Sequence, residues 1–416
     1  MFFVLLAFFV LSLRKKTVSK KAVLIQNERM KAVAPPKKKY FAFFSPNGFE
    51  CGCDYSKKEC SMFNVGETLF VDGRCTKDKS FTSEIEKIGK RNMTLRDEEK
   101  TKFLIIRIGW IGLQINETLN CDLNRFVLVL ENAKRMAEKY NMKIRAVYLF
   151  DESVWRLQTG GSVNALNEDR FVESVSCQIK IVKAVFNDVD ILANFAGPMI
   201  LKSQIFRDKV RNLVESVDLT HIGFDHYVDE GALSSWLGMK KFIKDWFAIN
   251  DFVSNLSSER GLKMFVVPLA PLQALTKYVG SLALLNSKAA EVQLLAFQKI
   301  LYNFSTQNKD IEYVLPWMVL LDKKTDLVAE KNSLCMKHMM TWKNAVETND
   351  FSALDVCPVE CGDSNEIFNV SFPVESGICN KWKTDASHLD LGCALEYDPE
   401  NKTFRETKKS TCCKPI

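Results

Sequence analysis

The sequence predicts an α/β chain folded as one TIM-type (β/α)8 barrel with disulfide-rich N- and C-terminal flanks, and three observations carry that expectation. From Lys102 onward, short β-rich apolar runs alternate with longer stretches of helical periodicity, the pattern of right-handed crossovers and a parallel sheet. No glycine-rich phosphate loop follows an early run, which favours a closed barrel over the alternative, a doubly wound open sheet. Thirteen cysteines gather mainly toward the two ends of the chain, where loop-rich flanks need covalent support.

The elements follow in order. Residues 1–20 read as a signal peptide or short anchor. Residues 21–39, basic and carrying Pro35 and Pro36, read as a linker. The barrel spans 40–330 and opens with an apolar run, Tyr40 to Phe44, that ends in the turn residues Ser45, Pro46, Asn47 and Gly48. A cysteine-rich insertion at 50–80 comes next. Strands are expected at Phe103–Trp110, Ile144–Phe150, Asp190–Phe195, Leu219–Tyr227, Lys263–Leu269 and Ile311–Leu321. Helices are expected between them at Asn124–Tyr140, Phe171–Phe186, Ile205–Val214, Leu233–Leu256 and Ala283–Phe304, with Ser203 as an N-cap. That makes seven strands. The eighth is expected at Ile367–Phe372 or hidden between Leu272 and Leu285. Residues 331–416 form a cysteine-rich C-terminal extension.

The charge balance excludes one function class. Of 57 basic against 51 acidic residues, the excess sits near the start of the chain, at Arg14, Lys15, Lys16, Lys20, Lys21, Lys37, Lys38 and Lys39. The remainder is near neutral and carries no nucleic-acid-binding fingerprint, so no nucleic-acid partner is expected. Met1 to Leu13 is an apolar run too short to span a bilayer comfortably. It suits a signal h-region although its charges follow it, so the chain is expected to be secreted, or membrane-anchored in the secretory pathway. Membrane contact is expected only if that run is retained.

Export fits the other signals. Cys51, Cys53, Cys60, Cys75, Cys121, Cys335, Cys357, Cys361, Cys379, Cys393, Cys412 and Cys413 are expected in disulfides, which leaves Cys177, mid-helix by pattern, as the thirteenth and unpaired thiol. Zinc is the competing reading for Cys357 and Cys361, and it lacks a second pair at finger spacing. Six glycosylation sequons occur, at Asn92, Asn116, Asn255, Asn303, Asn369 and Asn401, and are expected at the surface.

In a parallel barrel the working groups stand at the carboxyl ends of strands. The residues that end the apolar runs include Trp110, Asp151, Glu152, Asn194, Asp225, His226, Tyr227, Trp317 and Asp322. Carboxylates facing one another across such a mouth are what glycoside hydrolysis needs, and aromatic rings there would stack on sugar faces. Asp225 is the leading acid, with Asp151, Glu152 or Asp322 as the second carboxylate. Trp317, Tyr227, His226, Asn194 and Trp110 are the candidate substrate-binding residues. Asp225 and His226 are adjacent on one strand, so they point to opposite faces. Other roles stand beside these. Asp151, Asp229 and Glu230 also suit helix N-caps, Asp225 a satisfied structural carboxylate, and Trp317 a core position. No nucleophile-elbow serine, Walker loop, zinc-helix pair or dinucleotide turn is found in its required context, and the four histidines are scattered. No cofactor and no metal are expected.

Around Asp225 the sequence resembles the chitinase-like glycoside hydrolases of family 18, barrels whose fourth strand reads Asp, two residues, Asp, one residue, Asp, one residue, Glu. Asp218 occupies the first of those positions and Asp225 the last, with His221 and Gly223 in place of the two central aspartates. Trp317 is similar to that family's final-strand tryptophan. The resemblance covers about a third of the chain. It implies a barrel that acts on or binds carbohydrate, a glycosidase-type hydrolase if it is an enzyme, with a glycan as partner and Asp225 at the position of the acid. The loss of both central aspartates keeps a second reading open, a catalytically inactive extracellular barrel serving as a lectin-like or protein-binding module.

Overall fold

A computed structural model of the chain describes residues 38–43, 66–72, 81–108, 123–151, 168–234, 236–269, 288–317, 334–350, 395–398 and 403–406. The chain divides into Met1–Lys38 and Lys39–Ile416, and every element below belongs to the second unit.

Eight strands form one sheet: β1 (Tyr40–Phe41), β2 (Thr68–Asp72), β3 (Phe103–Arg107), β4 (Lys143–Asp151), β5 (Asp190–Ala196), β6 (His221–Asp225), β7 (Lys263–Val266) and β8 (Ile311–Val314). Their spatial order is β1-β8-β7-β6-β5-β4-β3-β2, and every neighbouring pair is parallel. The two end strands, β1 and β2, come into contact with one another and nearly close the barrel. A separate antiparallel hairpin joins β9 (Leu395–Asp398) to β10 (Thr403–Glu406).

The helices are α1 (Phe81–Asn92), α2 (Leu123–Lys139), α3 (Glu168–Val185), α4 (Gly197–Lys202), α5 (Gln204–Ser216), α6 (Glu230–Ser234), α7 (Trp236–Arg260), α8 (Lys288–Gln307) and α9 (Leu334–Thr348). One face of each long helix supplies the outer core. In α2 that face is Phe126, Leu130, Ala133 and Ala137, all buried at helical spacing. Local chemistry sets the helix ends. Ser203 Oγ accepts the Phe206 N–H of α5 at 3.1 Å, and Asp229 Oδ1 accepts the Ala232 N–H of α6 at 2.8 Å. Asn141, after α2, and Gly261, after α7, turn the chain with positive φ.

Two corrections concern the edges of the barrel. The eighth strand is Thr68–Asp72, inside the stretch read as a cysteine-rich insertion, where five residues give too short a run to stand out. Ile367–Phe372 lies outside the described residues. The last helix, α9, falls in the stretch read as an extension, yet it packs on α8 and β1. Its Trp342 is fully buried, with ring centroids 5.6 Å from Tyr302 and 6.2 Å from Phe41. It serves as the helix that follows β8, and its burial of His338 and Lys343 hides that role from an apolar pattern.

Two cysteines also differ from expectation. Cys335 is a buried thiol whose S–H donates to the Glu291 carbonyl at 3.3 Å, so it is not a disulfide partner. Cys177, read as the left-over thiol, is disulfide-bonded. Cys51, Cys53, Cys60, Cys75, Cys121, Cys357, Cys361, Cys379, Cys393, Cys412 and Cys413 lie outside the described residues.

Candidate functional site

Which strand residues face the barrel interior follows from contacts and register. Phe224 packs on Trp246 of α7, so its neighbours Gly223 and Asp225 face inward. Gly223 faces Phe265, where a Cβ would stand only 2.5 Å from the Phe265 ring. Phe265 in turn meets Tyr148, and Tyr148 meets Phe70, so aromatic rings fill the middle of the barrel. Asn194 pairs in register with Gly223 and with Asp151, and Ala196 with Asp225. Asn194 and Asp225 are buried, at 0 % and 5 % exposure.

At the C-terminal end of the strands, Asp225 closes β6 on the inward face. Two residues further on, Tyr227 stacks on Trp317, with ring centroids 4.5 Å apart and planes 30° from parallel. Trp317 is held by its backbone: its N–H donates to Pro268 O at 2.7 Å and it bridges Leu269 in parallel. The end of β6 and the continuation of β8 thus bring an acid and an aromatic pair to one mouth. Asp151 ends β4 one inward level below Asp225, in register with Asn194 and Gly223, and its backbone stands about 10 Å from β6 across β5, at the ~4.8 Å spacing of neighbouring strands. Trp110, Glu152 and Asp322 lie outside the described residues.

His226 is not part of this mouth. It points outward, as alternation requires, and its ring stacks on Phe242 of α7 at 4.7 Å. Burial holds its pKa down to about 4, so it is neutral and packed between sheet and helix. The residue preceding it needs room as well: a Cβ on Gly197 would lie 2.4 Å from the Asp225 carbonyl.

Asp218, the first position of the family 18 resemblance, is on the surface before β6 and pairs with Lys183. His221 lies at the far, N-terminal end of the barrel. The strand carrying Asp225 is the sixth, not the fourth.

The sequons separate as well. Asn92 is 5 % exposed, and its amide is engaged on both sides: Nδ2 donates to Thr101 O at 2.8 Å and Oδ1 accepts Thr101 N–H at 3.0 Å. It does not present the exposed amide that glycosylation requires. Asn255 on α7 is exposed. Asn116, Asn369 and Asn401 lie outside the described residues, as does the side chain of Asn303.

The N-terminal end holds a polar cluster that the sequence did not reveal. Arg145 pairs with Asp190 at 2.9 Å, Tyr313 O–H donates to the same Asp190 oxygen, and His221 Nε2 lies 3.3 Å from Glu312 Oε2. Burial and the Asp190 carboxylate push the Tyr313 phenol above its ordinary range. Lys39 is buried beside this cluster, where it donates to Ile311 O at 2.6 Å and Asn308 O at 3.0 Å, and burial lowers its pKa to about 8. Asp190, His221 and Glu312 could hold a metal ion. Their spread from 190 to 312 explains why no motif exposed them.

No family model matches the sequence, and no curated protein matches it. Solved structures that overlap it include a xylotriose complex of a mutant intracellular xylanase from Thermoanaerobacterium saccharolyticum, 13% identical over 71% of this chain and 90% of that one, with a TM-score of 0.42. Two fungal β-1,4-galactanases are represented at 9% identity over 74% and 99%, TM-score 0.44. A GH53 catalytic domain from Ignisphaera aggregans matches at 14% identity over 69% and 86%, TM-score 0.41. Overlaps this loose carry no inference about chemistry, which rests on this chain's own residues.

Proposed function

We propose that the C-terminal mouth of this barrel acts on or binds carbohydrate, as a glycosidase-type hydrolase with Asp225 as the acid and Asp151 as the second carboxylate. The observation that carries this reading is the inward Asp225 at the end of β6, followed two residues later by the stacked Tyr227 and Trp317 rings. A buried carboxyl group can protonate a leaving glycosidic oxygen, and the partly buried Tyr227 ring, backed by Trp317 at 3 % exposure, is the flat apolar surface beside it for a pyranose face. Asn194, from the neighbouring strand at the preceding inward level, adds a polar group for sugar hydroxyls. The exported location expected from the apolar start, the cysteines and the sequons belongs to the same proposal. Among the described residues no helix is long and apolar enough to cross a membrane.

The aromatic pair supplies the test of ligand class. Tyr227→Ala is expected to weaken binding of β-linked oligosaccharides by about tenfold, the loss of roughly 1.4 kcal/mol of stacking, and Trp317→Ala, which removes the ring that backs Tyr227, is expected to weaken it in the same direction. Isothermal titration across a sugar panel measures this. Unchanged affinity in both variants would place any sugar site elsewhere, and absence of binding by the wild type would remove the carbohydrate reading.

A further inference from the structure

We propose that Asp190, His221 and Glu312 hold a divalent transition-metal ion, zinc by the chemistry of the donors, at the N-terminal end of the barrel. This inference is independent of the carbohydrate reading, because the cluster stands at the opposite end of the strands from Asp225. One ligand atom from each residue lies within 4.8 Å of the other two. They come from three strands, β5, β6 and β8, so an ion would tie the sheet together across β7. One imidazole and two carboxylates form a mixed N/O set that suits zinc better than calcium or magnesium, which prefer oxygen alone.

Strand register explains how Glu312 reaches the cluster. Met264 pairs with Ile311 and Phe265 with Tyr313, so Glu312 is an extra residue in β8. A bulge of this kind re-aims a side chain. Arg145 arises in the same way on β4, where Leu104 pairs with Ile144 and Ile105 with Ala146. Two bulges therefore direct charged groups to the same end of the barrel, one a ligand and the other the partner that fixes Asp190.

The imidazole is held for ligation from behind. His221 is 2 % exposed, and its Nδ1 lies 2.8 Å from Thr220 Oγ1. That hydroxyl accepts the Ile191 N–H at 2.6 Å and lies 3.2 Å from Ile191 O. With the hydroxyl proton given to Ile191 O, Thr220 accepts Nδ1–H and Nε2 turns its lone pair toward the carboxylates. A metal-ligating histidine is commonly oriented by such a bond from its other nitrogen. The opposite tautomer donates Nε2–H to Glu312, so the imidazole keeps a partner without the ion. Arg145 and Lys39 bring positive charge to the same end. They make the site weaker than one with no cations around it.

The test uses the full chain stripped with EDTA and titrated with Zn2+ or Co2+. The proposal expects one ion per chain, Co2+ absorption bands of an N/O-ligated ion without thiolate charge transfer, and a thermal midpoint raised by Zn2+. His221→Gln and Asp190→Asn are each expected to abolish both binding and shift. The four histidines give a further readout in the wild type, in which Co2+ broadens the ring signals of His221 before those of His226 or His338, and this decides the matter should either variant fail to fold. Absence of Co2+ uptake, a thiolate spectrum, uptake unchanged in both variants, or unaffected His221 signals would overturn it.

Discussion

Two neutral histidines, His338 buried and His226 half-buried with its ring nitrogens out of water, should make this barrel sensitive to mild acid. His226 is packed on Phe242, and its two ring nitrogens have no hydrogen-bond partner among the described residues. His338 lies between Tyr302 and Trp342 at 5 % exposure. Burial lowers the first to a pKa of about 4 and the second to about 3, from the ordinary 6.5. Unfolding returns both to the ordinary value, so between pH 6.5 and about 4 the unfolded chain binds protons that the folded chain refuses. Stability is therefore complete above pH 6.5 and declines as pH falls through that window. At 1.36 kcal/mol per unit, each ring contributes a loss of about 3 kcal/mol by pH 4. Carboxylates held low by lysine, such as Asp188 beside Lys143, begin to protonate only toward the bottom of the window. The span from pH 6.5 to 5 thus reports the histidines. Unfolding free energies from urea titrations every half unit from pH 7.5 to 4.5, on wild type, His226→Phe and His338→Phe, are expected to fall by about 1–2 kcal/mol per histidine by pH 5 and to lose that share of the slope in each variant. A flat wild-type profile down to pH 5, or a slope unchanged in both variants, would refute the reasoning.

Gly223→Ala sets a Cβ 2.5 Å from the Phe265 ring, which is fully buried against Tyr148 and has nowhere to retreat. Chemical denaturation is expected to show a loss of about 1–3 kcal/mol, the usual range for overpacking. Asn92→Ala strands the Thr101 N–H and C=O at a residue 1 % exposed, and is expected to cost about 1–3 kcal/mol for each group left unmade. Peptide mapping of the protein expressed through a secretory pathway is expected to find Asn92 unmodified and Asn255, which is exposed, accessible to a glycan.

Strands β3 to β8 and helices α2, α3, α5, α7 and α8 were legible because each buries a continuous apolar run or a single apolar face. Asp225 and His226 were separable from strand alternation alone, although the side that belonged to the mouth needed the contact between Phe224 and Trp246. β2 was hidden by its brevity among cysteines and turn residues. The role of α9 was hidden because tertiary contacts bury His338 and Lys343 there, positions that an apolar pattern does not count toward a core face. The base cluster escaped for a different reason. Its members are far apart in sequence, and both Arg145 and Glu312 arrive through bulges, which break the two-residue period that orientation is read from.

The most direct test of the mouth compares wild type with Asp225→Asn for turnover and binding of a panel of β-linked oligosaccharides, side by side. The account predicts turnover by the wild type, lost by a factor of at least about 100 in the variant as expected for removal of a general acid, with binding retained. Turnover equal in both proteins, or neither binding nor turnover in either, would contradict it.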